Sequence, residues 1–223
     1  MSRPLKILTT ALWAVCVLAM LGVVAGVMAT RERSAATARR VGPDQPQGLP
    51  DLYRVPAFSL TDQDGRTVTD ASLRGGVWVA GFIFTRCAGP CPMMTAHMAK
   101  MQAQVTAPNV RFVLFTVDPA HDTPAVLKAY ADRHGADPAR WHLLTGPTDA
   151  VYAAAAGMYV TALPATADTP IIHSERFLLV DADGTVRGAY DSGSADDLVR
   201  LATDATSLAT SGRAATTDVD RHR

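Results

Sequence analysis

The sequence predicts a domain of the mixed α/β class with a partly parallel sheet, an N-terminal β-hairpin extension and one preceding transmembrane helix. Three observations lead to this prediction. Strand-like and helix-like segments alternate from about Leu52 to Leu208. An unbroken run of apolar residues and glycine at residues 77–84, and a second, mostly apolar run at residues 110–117, are typical of strands that are covered on both faces. Residues 7–30 contain no charged side chain.

The uncharged segment is long enough to cross a bilayer. As a helix it would reach about 36 Å, against a hydrocarbon core of about 30 Å. A cleaved signal peptide is the alternative, but its apolar region is normally only about 7–15 residues long. Lipoprotein processing at Cys16 is disfavoured by the bulky Val15 before it. We therefore expect residues 1–30 to form a cytoplasmic tip and a single-pass anchor in the cell membrane.

The orientation of this anchor and the limits of the domain follow from composition. Basic residues at both ends of the segment leave the positive-inside count ambiguous, and the very short tail before it favours export of everything downstream. Residues 31–50, rich in Ala, Arg, Gln, Pro and Gly, are predicted to be a flexible tether. Residues 51–208 would form the folded domain, and residues 209–223 a disordered tail.

Charge and missing motifs exclude several classes of function. The chain has 21 basic and 21 acidic residues, so it gives no electrostatic case for binding nucleic acid. It has no glycine-rich phosphate loop after a strand and no nucleophile elbow. Nucleotide and esterase chemistry are therefore not expected.

The first half of the domain reads as a hairpin followed by two central strands and a helix. Short strands at 58–60 and 67–68 flank the turn-rich residues 62–65, and the runs 77–84 and 110–117 are the central strands. Between these runs, Pro92 opens a helix whose apolar positions recur with helical spacing: Met94, Met98, Met101 and Val105. That period indicates packing in the core rather than thioether ligation of copper.

The second half continues the alternation. Thr123 and Pro124 predict the start of a helix that ends near Arg133. Residues 141–144 are a short third strand and residues 148–157 a further helix. After a proline-containing loop, residues 176–180 and 185–190 pair around a turn. The last helix is amphipathic, with apolar residues at Leu198, Leu201, Ala202, Ala205 and Leu208.

Two cysteines, Cys87 and Cys91, lie where the first central strand ends and a helix begins. The N–H groups and the dipole of a helix start favour thiolates, so we expect the pKa of both thiols to be lowered. At this spacing the two sulfurs can form a disulfide or bind one metal ion. The alternative is two inert cysteines or a static disulfide, although a bridge closing so short a loop would constrain the unfolded chain little.

His173 is the other candidate ligand, because it stands at a loop-to-strand junction just before the strand at 176–180. A single histidine is often structural, so the residues alone leave its role open. We interpret four of the remaining histidines as bystanders, from their polar contexts or their position on a helix: His97, His134, His142 and His222.

Three motifs in order resemble the Sco/SenC family of copper chaperones over about residues 50–208. The first is Phe84-Thr85-Arg86-Cys87-Ala88-Gly89-Pro90-Cys91-Pro92. The second is Thr116-Val117-Asp118-Pro119-Ala120-His121-Asp122-Thr123-Pro124. The third is His173, which precedes a strand that ends in Val180-Asp181. The resemblance implies a thioredoxin-like fold in which Cys87, Cys91 and His173 bind copper, as Cu(I) or Cu(II). It also implies delivery to the CuA site of cytochrome c oxidase during assembly, with the copper-bearing oxidase subunit or another copper chaperone as partner. Asp118 would lie beside these ligands, with its role unassigned.

The chain departs from the family pattern at four positions. Arg86 introduces a cation beside the first cysteine, and Ala88 replaces the proline that is usual after it. His121 stands where arginine is common, and Ile172 where an aspartate is often found. Without that aspartate, another group must bind the N–H of the His173 imidazole and fix the orientation of the ring.

Other functions remain open, so the sequence does not decide whether the chain is an enzyme. In a thiol:disulfide oxidoreductase that reduces a copper-site target, Cys87 would attack and Cys91 would resolve the mixed disulfide. Such exchange should tolerate loss of His173, whereas a copper site should not. A peroxiredoxin is disfavoured because Ala80 and Phe84 occupy the places of its proline and threonine. A non-catalytic interaction module would work without either cysteine.

Overall fold

The computed structural model describes residues 48–163 and 171–219. These residues contain the strands β1 (Tyr53–Arg54), β2 (Ser59–Thr61), β3 (Thr67–Thr69), β4 (Val77–Ile83), β5 (Val110–Thr116), β6 (Trp141–Leu144), β7 (Ala162–Leu163), β8 (Ile172–His173), β9 (Arg176–Val180) and β10 (Thr185–Asp191). They also contain the helices α1 (Asp70–Leu73), α2 (Pro90–Gln104), α3 (Pro124–Arg133), α4 (Thr148–Gly157) and α5 (Ala195–Val219). The predicted α/β class is confirmed.

One mixed sheet organises the domain, with the strand order β1-β10-β9-β4-β5-β6. Strands β4, β5 and β6 are parallel, so their carboxyl ends meet at one edge of the sheet. Strands β9, β10 and β1 extend the other side in the antiparallel sense. The predicted N-terminal hairpin is present as the separate pair β2–β3. This order places the loops after β4 and β5 side by side.

The central strands are mostly apolar because both faces of the sheet are covered. Every residue of β4 is buried, and so is every residue of β5 except Arg111. One hydrophobic cluster is built with α2, α3 and α5, and the other with α4 and the β2–β3 hairpin. A strand covered in this way has no polar face, which explains why the runs at 77–84 and 110–117 are mostly apolar.

Helix α2 contributes three methionines to the core. Met94, Met98 and Met101 are all buried, which confirms their interpretation as packing residues. Met93, in the same helix, is 58% exposed. The helix therefore carries chemically identical side chains in opposite environments.

These environments give a matched stability prediction. Met98→Ala is expected to lower the free energy of unfolding by about 3 kcal/mol, because the truncation leaves a cavity in a packed core. Met93→Ala is the control, and its effect should stay within about 0.5 kcal/mol because the side chain is largely exposed. Urea unfolding of the full chain, followed by circular dichroism, measures both values. Equal effects would contradict the assignment of Met98 to the core.

Two helix limits differ from the prediction. Helix α2 begins at Pro90 rather than at Pro92, so Cys91 lies inside its first turn. Either proline is compatible with the first turn of a helix, which made the start ambiguous. Helix α5 continues to Val219, past residue 208 where the folded domain was predicted to end. No proline follows Leu208 to interrupt its backbone hydrogen bonds.

The proline-containing loop expected between α4 and β9 contains a short hairpin. In it, Ala162 of β7 pairs with His173 of β8, and Leu163 pairs with Ile172. Strands of two residues are too short to leave a periodic pattern in the sequence. This hairpin determines where His173 lies.

The predicted membrane segment at residues 7–30 lies outside the described residues, as does most of the predicted tether. Within the ranges 48–163 and 171–219, no helix combines the length and the apolar character that a bilayer span requires. The anchor therefore stays a prediction from sequence.

Candidate metal centre

Both candidate cysteines lie at the edge of the sheet where β4 ends. Cys87 is in the turn between β4 and α2, and Cys91 is in the first turn of α2. Both are free thiols. Cys91 is 0% exposed, whereas Cys87 is only partly buried. The pair thus has one thiol in the core and one near the surface.

The β7–β8 hairpin brings His173 to the cysteines. Its Nε2 atom lies 3.1 Å from Sγ of Cys91. The three potential ligand atoms, one from each of Cys87, Cys91 and His173, all lie within 4.8 Å of one another. Metal–sulfur and metal–nitrogen bonds of about 2.0–2.3 Å allow one ion to sit between atoms at such separations. Among the residues that the structure describes, these three form the one such cluster of His, Cys, Asp or Glu side chains.

The His173 ring is oriented by its own backbone neighbourhood. Its Nδ1 lies 3.2 Å from the carbonyl oxygen of Ser174. A carbonyl only accepts hydrogen bonds, so Nδ1 carries the proton and Nε2 presents its lone pair towards the cysteines. The Phe84 ring and the imidazole pack in a T-shaped arrangement with their centroids 5.8 Å apart. The Ser174 carbonyl therefore takes the place of the aspartate that the family pattern led us to expect at position 172.

The protonation of Cys91 differs from the prediction. Burial raises the pKa of the Cys91 thiol, and the neighbouring Cys87 side chain adds to the rise. We expected a lowered pKa for both thiols from the helix start, and for Cys91 that prediction is wrong. Loss of solvation in the core outweighs the helix dipole and the backbone donors. A metal ion displaces the thiol proton on binding, so it can still hold Cys91 as a thiolate.

The turn before Cys87 is fixed by a buried acid from the loop after β5. The Asp122 carboxylate is 0% exposed and accepts hydrogen bonds from the Thr85 N–H at 3.1 Å and from the Thr85 hydroxyl at 2.5 Å. It also accepts a hydrogen bond from the Thr116 hydroxyl. We had not singled out any of these residues from the sequence. They lie inside the two motifs, but spacing along the chain does not show that Thr85 meets Asp122.

The cation introduced at Arg86 is also paired. Its Nη2 and Nε atoms lie 2.6 Å and 3.2 Å from the same oxygen of Asp118. The Arg86 side chain is 60% exposed, whereas that of Asp118 is 11% exposed. The sequence assigned no role to Asp118. In the structure it forms a salt bridge with Arg86, which directly precedes Cys87.

Behind Cys91, two buried hydroxyl groups hold the first turn of α2. The Thr95 hydroxyl donates to the Cys91 carbonyl at 2.9 Å and lies 2.8 Å from the hydroxyl of Tyr130. Burial raises the pKa of Tyr130 to about 12. Tyr130 therefore stays neutral near physiological pH and adds no charge behind the cysteines.

The remaining histidines do not lie with the cysteines in the described part of the chain. Three have other partners: His97 with the Ser192 carbonyl, His134 with the Tyr130 ring and His142 with the Asp62 carboxylate. His222 lies outside the described residues.

A comparison with known protein families agrees with the motifs found in the sequence. The profile of the SCO1/SenC family matches residues 49–207, which include Cys87, Cys91 and His173. The chain belongs to the SCO1/SenC family. This confirms the resemblance found in the sequence, and the thioredoxin-like fold that it implied agrees with the observed sheet.

Several members of the SCO1/SenC family are similar to this chain. A SCO1 homologue from Bacillus subtilis is 38% identical over 144 residues, which are 62% of this chain and 74% of that protein. The structure of Bradyrhizobium japonicum ScoI with copper bound has a TM-score of 0.60 and 26% identity, covering 70% of this chain and 99% of that one. BsSco, a member of the Sco family of cytochrome c oxidase assembly proteins with an identified disulfide switch, has a TM-score of 0.64 and 34% identity, covering 74% and 99%.

Proposed function

We propose that this chain is a membrane-anchored copper chaperone that binds copper through Cys87, Cys91 and His173. The observation that carries the proposal is the approach of their three ligand atoms to within 4.8 Å of one another. Two soft thiolates suit Cu(I), and an added imidazole lets the same site hold Cu(II). The copper-bound structure of the Bradyrhizobium japonicum relative supports this choice of cargo. Zinc is disfavoured because structural zinc sites usually have four protein ligands.

Carried copper must be released as well as bound. Cys87 and His173 are partly exposed, whereas Cys91 is buried. A ligand from an acceptor can therefore approach from the exposed side and displace these two groups before Cys91. This asymmetry favours transfer by stepwise ligand exchange.

For the destination, we propose the CuA site of cytochrome c oxidase, reached in the copper-bearing subunit or through another copper chaperone. The membership of BsSco in a family of cytochrome c oxidase assembly proteins supports this assignment. Residues 7–30 would anchor the domain in the cell membrane with the domain on the exported side. Residues 31–50 would act as a flexible tether that lets the site reach a membrane-bound acceptor.

A thiol:disulfide oxidoreductase is the second candidate. It is favoured by the two free thiols in one cluster, of which Cys87 is accessible for attack and Cys91 is placed to resolve the mixed disulfide. Simple exchange does not need the 3.1 Å contact between His173 and Cys91. That contact favours metal binding as the first function.

The two candidates differ in what happens to His173→Ala. We expect this variant to retain one equivalent of Cu(I), because two thiolates suffice for that ion, and to lose the sulfur-to-Cu(II) charge-transfer band. Full-length protein in detergent is reduced, titrated with Cu(I) without oxygen, and separately loaded with Cu(II) for absorption spectroscopy.

His121→Ala is the matched control, because His121 is exposed and lies outside the cluster. Its copper stoichiometry and spectrum should equal those of the wild type. An unchanged Cu(II) band in His173→Ala would contradict the three-ligand site. Absence of stoichiometric copper binding in the wild type would favour the oxidoreductase.

A further inference from the structure

The turn that carries Cys87 is tied to the loop after β5 through two consecutive residues. Thr85 binds the buried Asp122, and Arg86 binds Asp118. Both acids follow β5, the parallel neighbour of β4, so the turn and the loop lie side by side. The turn is therefore held from outside its own segment.

Cys87 packs against the core cluster, and its hydrogen bonds from the backbone are local to its own turn. Its Sγ accepts a hydrogen bond from the Gly89 N–H at 3.4 Å, and its own N–H donates to the Phe84 carbonyl at 3.2 Å. Gly89 is the N-cap of α2 and offers no side-chain cap. Cys91, by contrast, lies within α2 and is fully buried. Besides this packing, the position of Cys87 relative to Cys91 therefore depends on how the preceding residues are held.

The Thr85–Asp122 and Arg86–Asp118 contacts have different consequences for the stability of the fold. Asp122 is buried, so its bonds to Thr85 are part of the packed structure. The Arg86 side chain is 60% exposed, and ion pairs with an exposed partner add little to global stability. Two N–H groups of Arg86 nevertheless converge on one oxygen of Asp118, which restricts the guanidinium and the backbone next to Cys87. The effect of this pair is thus local to the cysteine turn.

We propose that Arg86, held by Asp118, is a positioning residue that fixes the Cys87 thiolate in the geometry of the bound copper. The proposal rests on the proposed function of the site. The partners are 32 residues apart in the chain, so the pair joins the turn before Cys87 to the loop after β5. The position of that loop therefore helps to fix the position of the turn.

The test compares Arg86→Gln, Arg86→Lys, Asp118→Asn and the Arg86→Gln/Asp118→Asn double variant in full-length protein. Two quantities are measured: the copper hyperfine coupling of the Cu(II) form by electron paramagnetic resonance, and the rate of Cu(I) loss to excess bathocuproine disulfonate. We expect Arg86→Gln to lose Cu(I) about tenfold faster than the wild type and to change the hyperfine coupling, as when a group that orients a metal ligand is removed. Asp118→Asn should match it.

The other variants separate positioning from charge. The double variant should be no worse than either single variant, because each change breaks the same pair. Arg86→Lys keeps the charge but loses the two-point contact, so an intermediate rate is expected. Arg74→Gln is the matched control. Arg74 is 54% exposed, pairs with Asp70 and precedes β4, at the end of that strand opposite to Cys87.

Distinct results would overturn the proposal. Wild-type rates and spectra in Arg86→Gln would remove the positioning role, and wild-type behaviour of Arg86→Lys would reduce it to charge alone. A shifted unfolding midpoint with unchanged copper spectra and rates would show a purely structural role. A wild type that binds no copper would instead overturn the proposed function, and this proposal with it.

Discussion

Cys91→Ser is expected to abolish stoichiometric copper binding. A hydroxyl is a hard and weak ligand for Cu(I), and it would have to lose its proton in the same buried position. The loss of affinity should exceed the about 10- to 100-fold loss that is typical when only the partner of a metal ligand is removed. Anaerobic titration of the full-length protein against a competing Cu(I) chelator measures the affinity.

The third cysteine provides the control for this experiment. Cys16 lies in the predicted membrane segment, so Cys16→Ser should keep the wild-type affinity. Because Cys91 is buried, near-ultraviolet circular dichroism should first establish that Cys91→Ser is folded. Tight binding of one copper ion by a folded Cys91→Ser protein would contradict the assignment of Cys91 as a ligand.

Asp122→Ala is expected to lower the free energy of unfolding by about 4 kcal/mol, because it leaves one buried and two partly buried donors without their acceptor. These donors are the Thr85 N–H and the hydroxyls of Thr85 and Thr116. Asp122→Asn keeps one acceptor oxygen, so we expect a smaller loss of about 2 kcal/mol. Urea unfolding of the metal-free protein measures both values, independently of any role in copper binding.

An exposed acid in a helix gives the comparison. Asp132 is exposed in α3, and Asp132→Ala should change the free energy of unfolding by no more than about 0.5 kcal/mol. If Asp122→Ala unfolded at the same urea concentration as Asp132→Ala, the hydrogen bonds of Asp122 would not be holding the cysteine turn to the sheet.

The central strands could be predicted closely, whereas the shortest elements could not. The predicted runs 77–84, 110–117 and 141–144 agree with β4, β5 and β6 to within one residue. Their burial leaves a run of apolar residues, as it also does in β9, which agrees with the predicted strand at 176–180. Strands β1, β7 and β8 have two residues each, which is less than one full alternation of side chains.

For the candidate site, the ligand residues could be predicted from the sequence, whereas their contacts could not. The sequence could propose Cys87, Cys91 and His173 together because their motifs follow one another in a recognisable order. It could not identify the Ser174 carbonyl that orients the imidazole, because every residue has a carbonyl. Nor could it give the direction of the Cys91 pKa, which depends on how deeply the first turn of α2 is buried.

The β7–β8 hairpin supports His173 separately from the turn and helix that carry the two cysteines. Each of its strands has two residues, and the pair lies outside the six-stranded sheet. Short peripheral elements exchange their amide hydrogens faster than buried strands, and β8 should therefore exchange faster than β4. If β8 exchanges in this way, the imidazole would be able to leave a copper ion that both sulfurs of the proposed site still hold. With the proposed function, Cu(II) would use all three groups whereas two thiolates suffice for Cu(I), so the imidazole side of a bound Cu(I) ion would be the side open to an acceptor.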